Sequence, residues 1–152
     1  MLELLYYLIQ LGVTLIAFLF ILLCVLVKLT TPPYPNILEF DQEKYFKTSL
    51  SGCETKDFPS LTDGATVNLS VIVPAYNEEL RLPKMLDECL EFLEKRETSY
   101  EVIIVDDGSK DETTAVGLKY VERWGSEKVR VLSLARNRGK GGAVRMGMLR
   151  AR

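Results

Sequence analysis

Two short acidic stretches, each where an apolar strand runs out, hold the residues best suited to chemistry. The first is Pro74-Ala-Tyr-Asn-Glu78, after Leu69–Val73. The second is Asp106-Asp-Gly-Ser109, after Val102–Val105. An aromatic ring such as Tyr76 can lie flat against a base. A carboxylate such as Glu78 accepts hydrogen bonds from base or ribose donors. Tyr76, Glu78, Asp106 and Asp107 in one crevice would therefore suit a base, a ribose or a metal-bound phosphate. The plainer alternative is a pair of strand-to-helix turns in which Asn77, Glu78 or Ser109 caps backbone N–H groups. Adjacent side chains alternate across a strand, so only one of Asp106 and Asp107 need face a ligand.

A third stretch, Arg136-Asn-Arg-Gly-Lys-Gly-Gly-Ala143, follows the apolar run Val129–Leu134. Glycines allow close backbone approach to a phosphate, and a helix N-terminus favours anions. It is not a dinucleotide fingerprint: with Gly139 and Gly141 as the first two glycines, the third position is Val144. Nor is it a P-loop, since no Gly-Lys-Ser/Thr occurs. Arg138 and Lys140 are suited to phosphate, and equally to pairing with Asp106 or Asp107.

The elements that must position these groups are readable from the apolar pattern. Leu69–Val73, Val102–Val105 and Val129–Leu134 read as strands covered on both faces. Between the first two, Leu82, Met85, Leu86, Cys89, Leu90 and Leu93 recur at helical spacing, with Pro83 in the first turn. A second helix is expected to open on a capping box, Ser109 and Glu112, and to run to about Trp124. A third opens near Gly141, with Val144 and Met148 on one face. The order β-α-β-α-β-α predicts an α/β fold with a parallel sheet. Parallel strands end at one edge, which brings the loops to a single crevice. Three strands make only half of a usual nucleotide-binding sheet, so an incomplete form is expected.

Upstream the chain changes character. From Leu4 to Val27 the only polar side chains are Tyr6, Tyr7, Gln10 and Thr14. Such a helix crosses a bilayer core of about 30 Å with some tilt. A cleaved leader would begin with basic residues and end in small ones. Here the start carries Glu3, and Cys24-Val-Leu-Val-Lys28 is a poor cleavage site. Residues 4–28 therefore read as a transmembrane anchor and 29–66 as a juxtamembrane linker. The linker begins with a stiff exit, Thr30-Thr-Pro-Pro-Tyr-Pro35, and carries one short helix around Gln42 to Thr48. Residues 67–152 read as the folded domain.

Net charge is −2, which gives no general pull toward nucleic acid. Between Lys128 and Arg152, however, there are eight Lys or Arg and no acid. This run is either a solvated helix face or a site for an anionic ligand. Cys24, Cys53 and Cys89 are far apart and odd in number, which suits a reducing compartment. The absence of His excludes a His base and His-containing zinc sites within these residues. Asn68-Leu-Ser70 is a glycosylation sequon, but it starts a strand expected to be buried.

Three strings in this order and spacing carry a resemblance: Val71–Glu78, Val105–Asp111 and Asn137–Arg145. Together they resemble the nucleotide-binding half of family 2 glycosyltransferases of the GT-A fold, over roughly residues 67–150. The last string, with the anchor and Glu94-Lys-Arg96, is similar to members that glucosylate dolichyl phosphate. The resemblance implies a membrane-anchored, Rossmann-like GT-A sheet that binds UDP-glucose and transfers glucose to dolichyl phosphate with inversion. It implies that Pro74, Tyr76, Glu78 and Asp107 bind the nucleotide sugar and that Val105 lines the base site. Lys140 joins them as the phosphate contact. Catalytic residues are not assigned. A divalent metal, Mg or Mn, is implied, but the family's Asp-x-Asp metal motif follows a fourth strand. Its ligands are expected outside these residues, which are not expected to catalyse alone. The implied location is the endoplasmic reticulum membrane with the domain cytosolic, consistent with Lys28 after the apolar span and Glu3 before it. Two alternatives stand beside this reading. One is a non-catalytic, membrane-tethered nucleotide-binding module. The other is a dolichyl-phosphate mannosyltransferase-like enzyme preferring a guanine nucleotide.

Overall fold

The computed structural model describes residues 1–31, 39–50 and 54–152, in two units that divide after Leu38. The Pro-rich exit from Pro32 onward and Cys53 lie outside the described residues.

Among its described residues the first unit holds one helix, α1 (Leu2–Thr30), of 29 residues and mean hydropathy 2.8 in its most apolar window. At about 1.5 Å per residue it is about 43 Å long, enough to cross a bilayer by length and composition. Its two threonine hydroxyls are satisfied internally: Thr14 donates to the Leu11 carbonyl at 2.9 Å and Thr30 to the Leu26 carbonyl at 2.8 Å. No helix residue is buried against protein.

The second unit is built on three parallel strands, β3 (Leu69–Ala75), β4 (Tyr100–Asp106) and β5 (Val129–Ser133), in the order β3-β4-β5. The central strand β4 is buried along its whole length. Its alternation builds two cores. Val102 and Ile104 point to one face, with Leu86, Leu90 and Leu93 of α2 (Leu82–Glu94) and Leu118 and Val121 of α3 (Thr113–Trp124). Ile103 and Val105 point to the other, with Ala143 and Met146 of α4 (Gly139–Met148). α4 lies close on the sheet because Gly147 has no side chain; a Cβ there would overlap Ile72 and Val105. The expected order β-α-β-α-β-α is therefore present, with α4 opening at Gly139 rather than Gly141.

Residues 39–50 and 54–58 correct the linker reading. A 3₁₀ turn (Asp41–Lys44) leads into β1 (Tyr45–Lys47), which pairs antiparallel with β2 (Thr55–Asp57). The helix expected around 42–48 does not form. Tyr45-Phe46-Lys47 alternates exposed, buried, exposed, a period of two that suits a strand with aromatic residues. Phe46 and Phe58, their rings 4.9 Å apart, are buried beside Ile103, Val105 and Leu132. Their rings also flank the buried Arg130 guanidinium at 5.5 and 5.4 Å, which pairs with buried Glu101. Burial, then the nearby charge of Arg152, lowers the Arg130 pKa to about 10. The segment is thus part of the folded unit.

Candidate functional site

The three strands end level, since Ala75 is in register with Asp106 and Asp106 with Ser133. The Asp107 N–H donates to the Ala75 carbonyl at 2.8 Å, and the Leu134 N–H to the Asp106 carbonyl at 2.9 Å. Polar side chains then cross-link the two acidic loops. The Ser109 hydroxyl accepts the Asn77 N–H at 2.9 Å, and the Asn77 side-chain carbonyl accepts the Lys110 N–H at 2.9 Å. Asn77 sits at φ 54°, a left-handed conformation that Asn tolerates better than most residues. The Thr113 hydroxyl accepts the Glu78 N–H at 2.8 Å, and Asp111 accepts the Glu79 N–H at 3.2 Å. Glu79 returns the contact by accepting the Glu112 N–H at 3.0 Å.

The capping box expected at Ser109 and Glu112 is absent, because the Ser109 hydroxyl and the Glu112 backbone N–H serve this cross-link instead; α3 begins at Thr113 without a side-chain cap. Gly108 lets the second loop pass under the third. It has φ 73°, and a Cβ there would lie 3.0 Å from the Asn137 backbone nitrogen.

Above the strand ends lies an open cavity of 410 Å³ lined by Pro74, Ala75, Tyr76, Glu78, Asp107, Lys140 and Ala143. The structure thus brings together five of the six residues singled out in the sequence. Tyr76 is 42% exposed, so its ring is available to a ligand. Glu78 is held by Arg81 at 2.6 Å. Asp107 is buried, and one of its carboxylate oxygens accepts the Arg138 N–H at 2.7 Å. Lys140, in the first turn of α4, is the one cation among the lining residues.

Asp106 faces away from this cavity. It accepts the Ser109 N–H at 2.9 Å and bonds the Thr114 hydroxyl, so it ties the turn to α3. Val105 is the sixth residue, and it does not reach the cavity. It is fully buried under α4 with Ile103, Leu132 and Met146, because strand alternation turns it into the core. Ala75 and Ala143 line the cavity and were not foreseen. Small residues carry no chemical signal in a sequence, and only the approach of α4 to the end of β3 places them there.

The basic run also reads differently in three dimensions. Lys128 meets Glu94, Arg130 meets Glu101, Arg138 meets Glu43, Arg150 meets Glu39, and Arg152 meets Glu101 and Glu127. Most of it is therefore internally neutralised rather than a solvated face. Arg138 takes neither of the two routes foreseen for its side chain. Its guanidinium goes to Glu43, and only its backbone N–H goes to Asp107. Glu43 is a residue that sequence reasoning missed. The available signal was the acid-free basic run itself, which requires carboxylates from elsewhere in the chain.

Among the described residues, no three Asp, Glu, Cys or His side chains converge in a way that could hold a metal ion. Glu78 is engaged by Arg81, and Asp107 by the Arg138 N–H. The present donor set does not fit a metal, and no chemical step is assigned to one.

The family model for glycosyl transferase family 2 matches residues 70–152, more than half of the chain. The chain belongs to that family. A dolichyl-phosphate beta-glucosyltransferase of Mus musculus is 48% identical over 157 residues, covering 100% of this chain and 48% of the relative. That of Drosophila melanogaster is 57% identical over 132 residues, covering 84% of this chain and 40% of the relative. The chain therefore spans less than half the length of these curated relatives. A solved mannosyltransferase from Pyrobaculum calidifontis, in complex with GDP-Man and Mn²⁺, is similar with a TM-score of 0.46 at 25% identity. That match covers 62% of this chain and 26% of the solved one. As a family 2 glycosyltransferase, the chain has the expected α/β parallel sheet, with its signature loops gathered at one sheet edge.

Proposed function

We propose that this chain binds UDP-glucose and serves the transfer of glucose to dolichyl phosphate at the endoplasmic reticulum membrane. The observation that carries the proposal is the gathering of Tyr76, Glu78, Asp107 and Lys140 around one cavity at the strand ends. Each has a part that fits a nucleoside diphosphate sugar. The Tyr76 ring stacks on uracil. Asp107 keeps one carboxylate oxygen after accepting the Arg138 N–H, and that oxygen accepts a base N–H. Glu78 accepts from ribose hydroxyls. Lys140 meets the diphosphate at the opening turn of α4, where helix N–H groups also favour an anion.

In the proposed reaction an anionic phosphate oxygen of the lipid attacks the anomeric carbon of glucose. The bond from that carbon to the β-phosphate oxygen breaks, and UDP leaves with the electron pair. Configuration inverts. The nucleophile is already ionised, so no protein base is needed to remove a proton. A divalent metal is expected of the family with ligands outside these residues, so no step is routed through one here. The helix α1 would anchor the protein beside its lipid acceptor, with the sheet in the cytosol where nucleotide sugars are supplied.

Calorimetric titration of the purified chain in detergent with UDP-glucose and with GDP-mannose tests the donor. UDP-glucose is expected to bind about tenfold or more tightly than GDP-mannose, a difference of about 1.4 kcal/mol. Tighter binding of GDP-mannose would replace glucose by the mannosyl alternative.

A further inference from the structure

Glu43 is fully buried, and it comes from the 3₁₀ turn that precedes the sheet. Its carboxylate is fully used. One oxygen accepts the Ala135 N–H at 3.0 Å and an Arg138 guanidinium N–H at 2.7 Å. The other accepts the Phe40 N–H at 3.2 Å and the same Arg138 group at 2.7 Å. A carboxylate offers about four lone-pair sites, so Glu43 has none left for a ligand. The Glu43 backbone carbonyl accepts the Arg150 Nε–H at 3.1 Å. The Phe40 ring lies 5.8 Å from the Arg136 guanidinium and 5.7 Å from that of Arg138. Arg138 is thus gripped on its side chain by Glu43 while its backbone N–H reaches Asp107. Two residues later comes Lys140, on the cavity wall.

We propose that Glu43 is a positioning residue for the donor pocket: it fixes the 135–138 loop and with it the start of α4, so that Lys140 meets the diphosphate. The proposal rests on the nucleotide-sugar reading above. The Asp107 backbone is held independently, at the end of β4 and by its own N–H to the Ala75 carbonyl. Lys140 reaches the cavity from the first turn of α4, directly after the loop that Glu43 holds. Losing Glu43 should therefore weaken contact with the diphosphate and spare contact with the nucleoside. It would also leave the Arg138 charge without its carboxylate partner, beside Asp107.

The test uses the whole 152-residue chain in detergent, with Glu43→Gln, Arg138→Gln and the double variant. Calorimetry with UDP and with uridine separates the two halves of the ligand, and hydrogen exchange reads the loop directly. Glu43→Gln should speed exchange in 135–142 and leave Leu69–Ala75 unchanged. The UDP dissociation constant should rise about tenfold, the size of one lost charged hydrogen bond, with uridine unaffected. The double variant should lose no more than either single one, because the pair acts as a unit. Arg138→Lys keeps the charge and one contact and should recover part of the UDP affinity. It also carries the test if Glu43→Gln does not fold.

Unchanged loop exchange, or equal losses for UDP and uridine, would reduce Glu43 to a residue of the fold and overturn the inference alone. A parent chain that binds neither UDP nor uridine would overturn the nucleotide reading, and this inference with it.

Discussion

The Asp107 carboxylate accepts the Arg138 backbone N–H at 2.7 Å. This one bond joins the loop after β4 to the loop after β5. Its neighbour Asp106 has both oxygens committed, to the Ser109 N–H and the Thr114 hydroxyl. Two adjacent acids thus have separate tasks.

Replacement of each acid should separate those tasks. Asp107→Ala should raise the UDP-glucose dissociation constant about ten- to a hundredfold, the loss of a charged hydrogen bond, with circular dichroism unchanged. Asp106→Ala should instead lower stability by about 1–3 kcal/mol, because buried partners lose their acceptor. Equal affinity for Asp107→Ala and parent would remove Asp107 from the donor site.

Asp111 gives a pH signature. Burial raises its pKa, but hydrogen bonds from the Thr113 hydroxyl and from backbone N–H groups, including those of Glu79 and Thr113, outweigh this. The carboxyl is held below its ordinary value of 3.8. A depressed carboxyl pKa contributes stability above the unfolded-state value and loses it as pH falls through the folded-state value. Asp111→Asn should therefore melt lower than the parent at pH 7. The gap should close as pH falls below about 4. Melting curves at pH 7, 5 and 3 decide the matter, and a gap of constant size would argue against the carboxylate's role.

Gly147 sets the distance between α4 and the sheet. Gly147→Val should destabilise by about 1–3 kcal/mol through overpacking against Ile72 and Val105. Urea unfolding monitored by circular dichroism measures this. A stable variant would mean that α4 slides without cost.

The Asn68 sequon should carry no glycan if the sheet is cytosolic. Its Ser70 hydroxyl, on β3, donates to buried Glu101 of β4 at 2.6 Å. Gel mobility before and after endoglycosidase treatment of the cell-made protein reads this. A shift abolished by Asn68→Gln would place the domain in the lumen.

The strands, the helices and the edge where the loops gather were legible because their signals are local. Apolar runs at Leu69–Val73 and Val102–Val105 lie within the observed strands, Val129–Leu134 overruns β5 by one residue, and the Leu82 to Leu93 stripe lies within α2. The shared sheet edge brought Tyr76, Glu78 and the Asp106-Asp107 pair together, while Pro74 and the choice of Asp107 over Asp106 came from the family resemblance. What was illegible depended on partners far along the chain. Val105 was placed at the ligand, whereas α4 covers it in the core. Ser109 was read as a cap for its own helix, whereas it accepts from Asn77. The β1-β2 hairpin was read as linker because three-residue strands carry almost no periodicity. Glu43 was invisible for the same reason, since its partners arise from another region altogether.

The separation of Glu43 and Arg138 by 95 residues bears on how the chain reaches its native state. During synthesis Glu43 leaves the ribosome long before Arg138 exists. A lone carboxylate is costly to bury, so the segment around it stays hydrated until the guanidinium arrives. Contacts this distant in sequence also form slowly, because the intervening chain must first be closed into a loop. The local β-α units therefore assemble first, and docking of the upstream turn onto the glycine-rich loop comes late. Completion of the cavity wall and completion of folding are then the same event.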